Sequence, residues 1–402
     1  MSPRRTDSRS TLWMLCLASC GWAFSFGLGA PLASLWMRDA GRGPRIIGLN
    51  TSLYYFGVVL ASFAVPYLMR RAGRWCVVAG IVTDALVTAL FPWTDGLPLW
   101  FVLRLFGGVG TALSLIPMET VVNHNAPKER RARDFGYYAF SVALGVALGS
   151  LVGLPLYPIV PRLAFALAGF ITLASALVAW LALPAGQLIQ PEEQSETEPT
   201  SPTYRANFLS YGTAWVQGFL EGGLITFLSM YLLERDYTEG QVSLLVGGLF
   251  AGVILCQVPL AWLADRLGRL PILLACHLLM ILALLVVGWY PGTVALSVAL
   301  FVLGTCCGAL YPLGLALLGD RVPSNGMARA NALYLASNCA GSLTGPVLFG
   351  LTIDGFGSSA QFAAGTLAVV VVLGASAVAR RAPSVRPQPE VRDEAMPRRL
   401  AG

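Results

Sequence analysis

Ala261-Trp262-Leu263-Ala264-Asp265-Arg266-Leu267-Gly268-Arg269-Leu270 holds a short basic turn set between two long apolar runs. Its core, Asp265 to Arg269, repeats Arg70-Arg71-Ala72-Gly73-Arg74, which lies 195 positions earlier in the same setting. A second echo follows at nearly the same offset. Arg133, Tyr138, Ser141, Gly145 and Gly149 match Arg329, Tyr334, Ser337, Gly341 and Gly345, each 196 positions on. The chain therefore reads as two related halves, each mostly membrane. That is the plan of a secondary transporter, in which a site at the repeat interface opens to one side and then the other.

Composition agrees. Of 402 residues, 56% are hydrophobic and 12% charged, and mean hydropathy is +0.66. So few charges do not cover a soluble protein of this length. Apolar runs occupy residues 11–37, 46–69, 75–91, 99–121, 135–157 and 161–183, then 208–233, 242–263, 270–290, 294–318, 328–353 and 361–378. Each reaches or approaches the length that crosses about 30 Å of hydrocarbon. The expected fold is all-α and integral to the membrane, with twelve transmembrane helices in two six-helix pseudo-symmetric bundles. The expected divisions are an amino end at 1–10, a first bundle at 11–185, a linker at 186–207, a second bundle at 208–380 and a tail at 381–402. The first run lacks a small-residue cleavage site followed by a soluble segment, so it reads as the first span and not as a signal peptide.

The net charge of +6 matters through its placement and does not point to nucleic acid. Basic residues gather at the amino end (Arg4, Arg5, Arg9), at both repeated turns, at Lys128, Arg130, Arg131 and Arg133, at Arg321 and Arg329, and in the tail from Arg380. The alternate loops hold Arg38, Arg42, Arg45, Arg162 and Arg235. The positive-inside rule puts both termini of this multi-pass protein in the cytoplasm, with the Arg38–Arg45 cluster as the one discordant group. The linker carries Glu192, Glu193, Glu196 and Glu198 among Pro191, Pro199 and Pro202, and reads as a segment without fixed structure, as does the tail.

Several chemistries are excluded. The eight cysteines fall within or at the edge of apolar runs with no C-x-x-C pair, so they read as small buried hydrophobes and not as metal or redox groups. Lys128 is the only lysine and lies between Pro127 and Glu129, so no P-loop is present. There is no H-E-x-x-H and no long polar segment to hold an enzyme site. No cofactor or metal is expected, and the chain does not read as an enzyme.

The repeated turn resembles the Gly-x-x-x-Asp-Arg-x-Gly-Arg-Arg signature of the major facilitator superfamily. Asp265, Arg266, Gly268 and Arg269 match it, with Ala261 at the first position. In the first half Arg71, Gly73 and Arg74 match, while Pro66 and Arg70 depart from it. A glycine allows the tight turn, and a carboxylate there can cap a helix start or pair with an arginine to latch one conformation. Arg104, Gly108, Gly110 and Ala112 resemble the family's arginine-containing fourth-span motif, with Gly107 where glutamine is frequent. In that family the arginine is associated with proton transfer; an arginine snorkelling to the interface is the other reading. Gly145, Gly149 and Gly153, with Gly341, Gly345 and Pro346, resemble the glycine-rich fifth-span motif of antiporters and equally fit generic close helix packing. The resemblance implies two bundles around a central cavity and alternating access, in a monomer.

Three carboxylates, Asp84, Glu119 and Glu221, lie well inside apolar runs. Each is costly facing lipid and is a candidate for proton coupling or substrate binding, together with Arg104; an interhelical structural bond is the alternative. A carboxylate held away from water is suited to taking up and releasing a proton. Thr213, Gln217 and Glu221 form one polar stripe at four-residue spacing. Glu119 follows Arg104 by fifteen residues, about 22 Å of helix and too far for a direct pair. At an offset of 196, Glu119 corresponds to Leu315, Asp84 to Met280 and Glu221 to Ser25, so these charges are not duplicated. Asn50 and Tyr54, and Asn331, Tyr334, Asn338 and Ser342, form further stripes that would line a cavity, with Trp22, Phe24, Phe26, Trp215 and Tyr311 adding aromatic surface. His277 reads as a buried structural histidine.

The expectation is a proton-coupled exporter of a small organic solute. An importer of sugars or organic acids, and a sensor or scaffold that has lost transport, stand as alternatives. Its partners would be the solute, protons and the lipid bilayer.

Overall fold

Hydrocarbon offers backbone groups no water, so a chain of this composition must satisfy them within helices. The computed structural model describes residues 8–125, 131–183, 207–290, 292–322 and 326–381. Arg4, Arg5, Lys128, Arg130 and nearly all of the linker and tail lie outside them. The helices are α1 (Ser8–Asp39), α2 (Pro44–Ser62), α3 (Val65–Ala72), α4 (Arg74–Leu90), α5 (Leu97–Asn125), α6 (Arg131–Leu156), α7 (Pro161–Ala182), α8 (Phe208–Glu234), α9 (Glu239–Leu267), α10 (Arg269–Trp289), α11 (Thr293–Gly319), α12 (Met327–Phe356) and α13 (Ala360–Arg381). Ten of these are long and apolar enough to cross a membrane. The pair α2 and α3, bent by 58° at its break, adds one further span when the two are taken together. Expected as one run over 46–69, it breaks at residues 63–64 because Pro66 lacks an N–H and crowds the carbonyl four residues back. The 30-residue helix α12 packs against α8 and α2 and takes the remaining place in the second bundle.

The repeat is visible atom by atom. Helices α1 to α7 pack chiefly among themselves, as do α8 to α13. A Cβ added at Gly145 or Gly149 of α6 would strike the carbonyls of Cys20 and Phe24 on α1; one at Gly341 or Gly345 of α12 would strike those of Trp215 and Phe219 on α8. Gly57 and Gly108 cross the α2–α5 pair against the Leu105 and Tyr54 carbonyls, and Gly252 and Gly304 cross α9–α11 against those of Phe301 and Leu249. Small residues let these backbones approach closely, which is how helices bind one another where burial from water gives no drive. The contacts also fix the register. Cys20 matches Trp215 and Phe24 matches Phe219, an offset of 195 between α1 and α8. The counterpart of Glu221 is therefore Phe26 and not Ser25, because the two halves differ by one residue between the first helix of each half and the fifth-span helix that packs on it.

A proline within a helix leaves a carbonyl without its donor, and at Pro31 and Pro155 a neighbouring helix supplies one. Pro31 deprives Gly27, whose carbonyl accepts from Ser150 Oγ at 2.8 Å. Pro155 deprives Leu151, whose carbonyl accepts from Ser243 Oγ, also at 2.8 Å. The second of these bonds crosses from one bundle to the other.

The bundles meet at one end. There Ser52 Oγ donates to the Leu343 carbonyl at 2.7 Å, Gly48 lies on the Pro346 carbonyl, and Gly350 lies on that of Pro44. This end carries the discordant arginines. Arg38 pairs with Asp39 at 3.0 Å, which itself accepts from Tyr157 Oη at 2.8 Å, so part of that positive charge is neutralised locally.

Candidate functional site

Between the bundles lies a cavity with about 1700 Å³ of empty space, part of it open to solvent. Its wall is built from α1, α5, α6, α8, α9 and α11. The closed end lies beside Ser150, next to the Leu151–Ser243 contact, and the wall runs from there past Val146 and Val142 to Tyr138, Glu119 and Leu315. The opening thus faces the end that bears the repeated turns.

Glu221 is exposed into this cavity, and Glu119 is half-buried on its wall. They come from opposite bundles, α8 and α5. Gln217 lies one turn before Glu221 on the same face and its Nε2 donates to Glu221 Oε2. Asn338 Nδ2 donates to the Ala214 carbonyl at 3.1 Å and also to Gln217 Oε1. A backbone carbonyl only accepts, so it fixes which way both amides point and leaves a donor on Glu221. The stripe expected from four-residue spacing divides here. Thr213 is buried beside His277 Nε2 at 3.4 Å, and His277 Nδ1 meets the Leu273 carbonyl at 2.8 Å.

Asp84 and Arg104 do not reach the central cavity. They line a narrower pocket inside the first bundle with Tyr54, Phe91 and Ser25. Arg104 is 8% exposed and Asp84 5%. Arg104 Nε donates to Asn50 Oδ1 at 3.0 Å and Nη2 to the Ala30 carbonyl at 3.3 Å, while its guanidinium stands 5.5 Å from the Phe91 ring centre and 6.0 Å from that of Tyr54. Asp84 faces Arg104 and the Trp22 indole. The Tyr54 hydroxyl shares a 2.6 Å hydrogen bond with Thr111. Arg104 is thus a buried partner and does not snorkel. Phe26 lines both pockets and stands between them.

Tyr334 is fully buried, donating to the Tyr311 carbonyl at 2.8 Å, while the Tyr311 ring itself lines the cavity. Asn50 and Asn338 act as partners, of Arg104 and Gln217 respectively. Sequence reasoning passed over Ser150 and Ser243, whose acceptors Gly27 and Leu151 lie on other helices, so no local spacing marks them.

The repeated turns form as glycine requires, with φ of +54° at Gly73 and +95° at Gly268. Their charges stay within their own bundle. Arg269 Nη1 donates to Asp320 at 2.6 Å and to the Ala316 carbonyl at 2.7 Å, with Asp265 at 3.8 Å from Nη2. Arg266 stacks 3.7 Å from Trp262, Arg74 lies 3.6 Å from the Trp180 ring centre, and Arg71 donates to the Tyr67 hydroxyl.

Two pseudo-symmetric helical bundles around a cavity closed at one end define a multi-pass membrane transporter. The chain belongs to the major facilitator superfamily: the profile described as Major Facilitator Superfamily matches residues 14–232 and 206–400. It is 28% identical over 363 residues to the Uncharacterized MFS-type transporter YfkF of Bacillus subtilis (strain 168), covering 88% of this chain and 92% of that one. It is 24% identical over 370 residues to the Uncharacterized MFS-type transporter YE1530 of Yersinia enterocolitica, covering 88% of this chain and 92% of that one. In fold it is similar to a bacterial homologue of the human lysosomal transporter Spinster in an inward-facing, occupied conformation, with TM-score 0.78, 15% identity and 94% and 98% of the two chains covered. It is similar also to the nucleoside transporter NupG, with TM-score 0.75, 14% identity and 92% and 99% covered.

Proposed function

We propose that the protein is a proton-coupled exporter of a small organic solute, working by alternating access as a monomer in the bacterial inner (plasma) membrane with both termini cytoplasmic. In that orientation the cavity faces the cytoplasm, the side from which an exporter loads. The observation that carries the reading is the pair of carboxylates, Glu221 and Glu119, placed on the cavity wall by opposite bundles. Glu221 takes up the proton or meets the solute. Arg104, with Asp84 and Asn50, holds the first bundle in register behind Phe26. The Asp265–Arg269–Asp320 group, with Arg71 and Arg74, controls closure at the cytoplasmic end, where rigid-body rotation of one bundle against the other would bring the two turns together.

The test is solute-driven proton movement in liposomes, wild type against Glu221→Gln, across a small compound library. Movement present in the wild type and lost in the variant supports the reading. Undiminished movement in the variant transfers the coupling role to Glu119. Movement in neither removes proton coupling.

A further inference from the structure

The charge on the cavity wall is of one sign. Glu119 and Glu221 line it, and among the described residues no lysine, arginine or histidine does. The basic groups buried in the bundles are engaged elsewhere. Arg104 gives its donors to Asn50 and the Ala30 carbonyl behind Phe26, and His277 is enclosed between Leu273 and Thr213. The titratable groups facing Glu221 are Tyr55 of α2 and Cys307 of α11, and those facing Glu119 are Tyr138 of α6 and Tyr311 of α11. None of these carries positive charge in either protonation state.

The rest of the wall is largely apolar and aromatic, with Phe26, Phe250, Leu224 and Val253 among its residues. An organic anion would lose its hydration here to meet like charge. A sugar would need many hydrogen-bond partners; Gln217, the amide beside Glu221, is already committed to Glu221 and Asn338, which leaves Gln257 as the other amide among the lining residues. A cation with an apolar body meets counter-charge at Glu221, ring faces at Phe26 and Tyr311, and hydrocarbon walls around the remainder. The amide chain donates to Glu221 Oε2 and leaves Oε1 for the occupant.

We infer that the solute is an amphipathic organic cation, with Glu221 as its counter-ion and Glu119 as a second acidic contact from the opposite bundle. This rests on the transport reading of the same cavity. Proton and cation then compete for one carboxylate, which makes loading of one the condition for release of the other.

The experiment is equilibrium binding to the purified full-length protein in detergent. Tetraphenylphosphonium and tetraphenylborate have the same shape and opposite charge, and ethidium serves as a flat cation. Saturable binding of a cation, no competition by tetraphenylborate, and at least tenfold weaker binding in Glu221→Gln with partial recovery in Glu221→Asp are expected. Recovery in Glu221→Asp separates loss of charge from loss of fold. Binding by neither cation, equal competition by the borate, or undiminished binding in both Glu221→Gln and Glu119→Gln overturns the inference. Proton movement driven by neutral or anionic solutes in a protein that binds neither cation would sink this inference alone. Cation binding with no solute-driven proton movement would sink the coupled-transport reading and keep this one.

Discussion

Glu221 stands in the second bundle where Phe26 stands in the first. Both face the central cavity, one turn beyond a paired neighbour: Gln217 bonds to Glu221, and Trp22, its equivalent, stacks on Phe26 at 6.0 Å between ring centres. Duplication supplied the scaffold, and one half alone carries the carboxylate at this height. Glu221→Gln is therefore expected to reduce solute-coupled proton movement at least about tenfold, equivalent to about 1.4 kcal/mol. Phe26→Leu should alter apparent solute affinity and keep the coupling. Proteoliposome flux measured on both variants checks the asymmetry; equal loss in both would contradict it.

Arg104 is a buried charge with its partners in place, and removing one member of such a set leaves the others uncompensated. Arg104→Met is expected to destabilise the protein by about 3–5 kcal/mol. Arg104→Lys should recover only part of this, because a point charge does not reproduce donation to both Asn50 and the Ala30 carbonyl. Thermal unfolding in detergent, followed by the loss of monodisperse protein, reads the order wild type, Lys, Met.

The crossing glycines give a control within one residue type. At Gly108 and Gly304 an added Cβ would overlap the carbonyls of Tyr54 and Leu249, whereas at Gly248 nothing lies within 4 Å. Gly108→Ala and Gly304→Ala should each cost about 1–3 kcal/mol or more through overpacking. Gly248→Ala should be neutral or stabilising by up to about 1 kcal/mol. Folded yield and unfolding temperature of the three variants decide this.

Two hydroxyls hold the bundles together at the closed end, Ser52 on Leu343 and Ser243 on Leu151. Each is worth about 0.5–1.5 kcal/mol, and the second also serves a carbonyl that Pro155 leaves without a donor. Ser52→Ala with Ser243→Ala is expected to shift the population away from this conformation by roughly tenfold. Distances between spin labels placed on the two bundles at that end would lengthen in the double variant; an unchanged distribution would mean that backbone packing alone closes the end.

Asp320 pairs with Arg269 from a half-exposed position, so its contribution to stability is small. Asp320→Asn should change stability by no more than about 1 kcal/mol. If the turn takes part in closure, the same variant lowers the turnover of solute without lowering folded yield.

The sequence by itself determined the helical membrane class, the two halves and the glycine stripes of the two fifth-span helices, while the crossings at Gly57, Gly252 and Gly304 emerged only from the packing. The former follow from composition, run length and a repeat, all of which survive in one dimension. It also marked Glu119 and Glu221, because a carboxylate inside an apolar run is costly wherever the helix turns. It did not separate these two from Asp84, which has the same one-dimensional setting but lies behind Phe26 with Arg104. It assigned Tyr334 to a cavity stripe, although Tyr211 and Ala214 of α8 and Tyr311 and Leu318 of α11 enclose that side chain. It placed the break at Pro66 inside a continuous span, since hydropathy does not register a missing N–H. The register between α1 and α8, and with it the pairing of Glu221 with Phe26, was decided by which glycine meets which carbonyl across two helices. That is a contact between distant parts of the chain, and only tertiary structure fixes it. The same holds for Ser243, whose partner at Leu151 belongs to the other bundle: its bond exists because a proline far away in sequence left a carbonyl open to it.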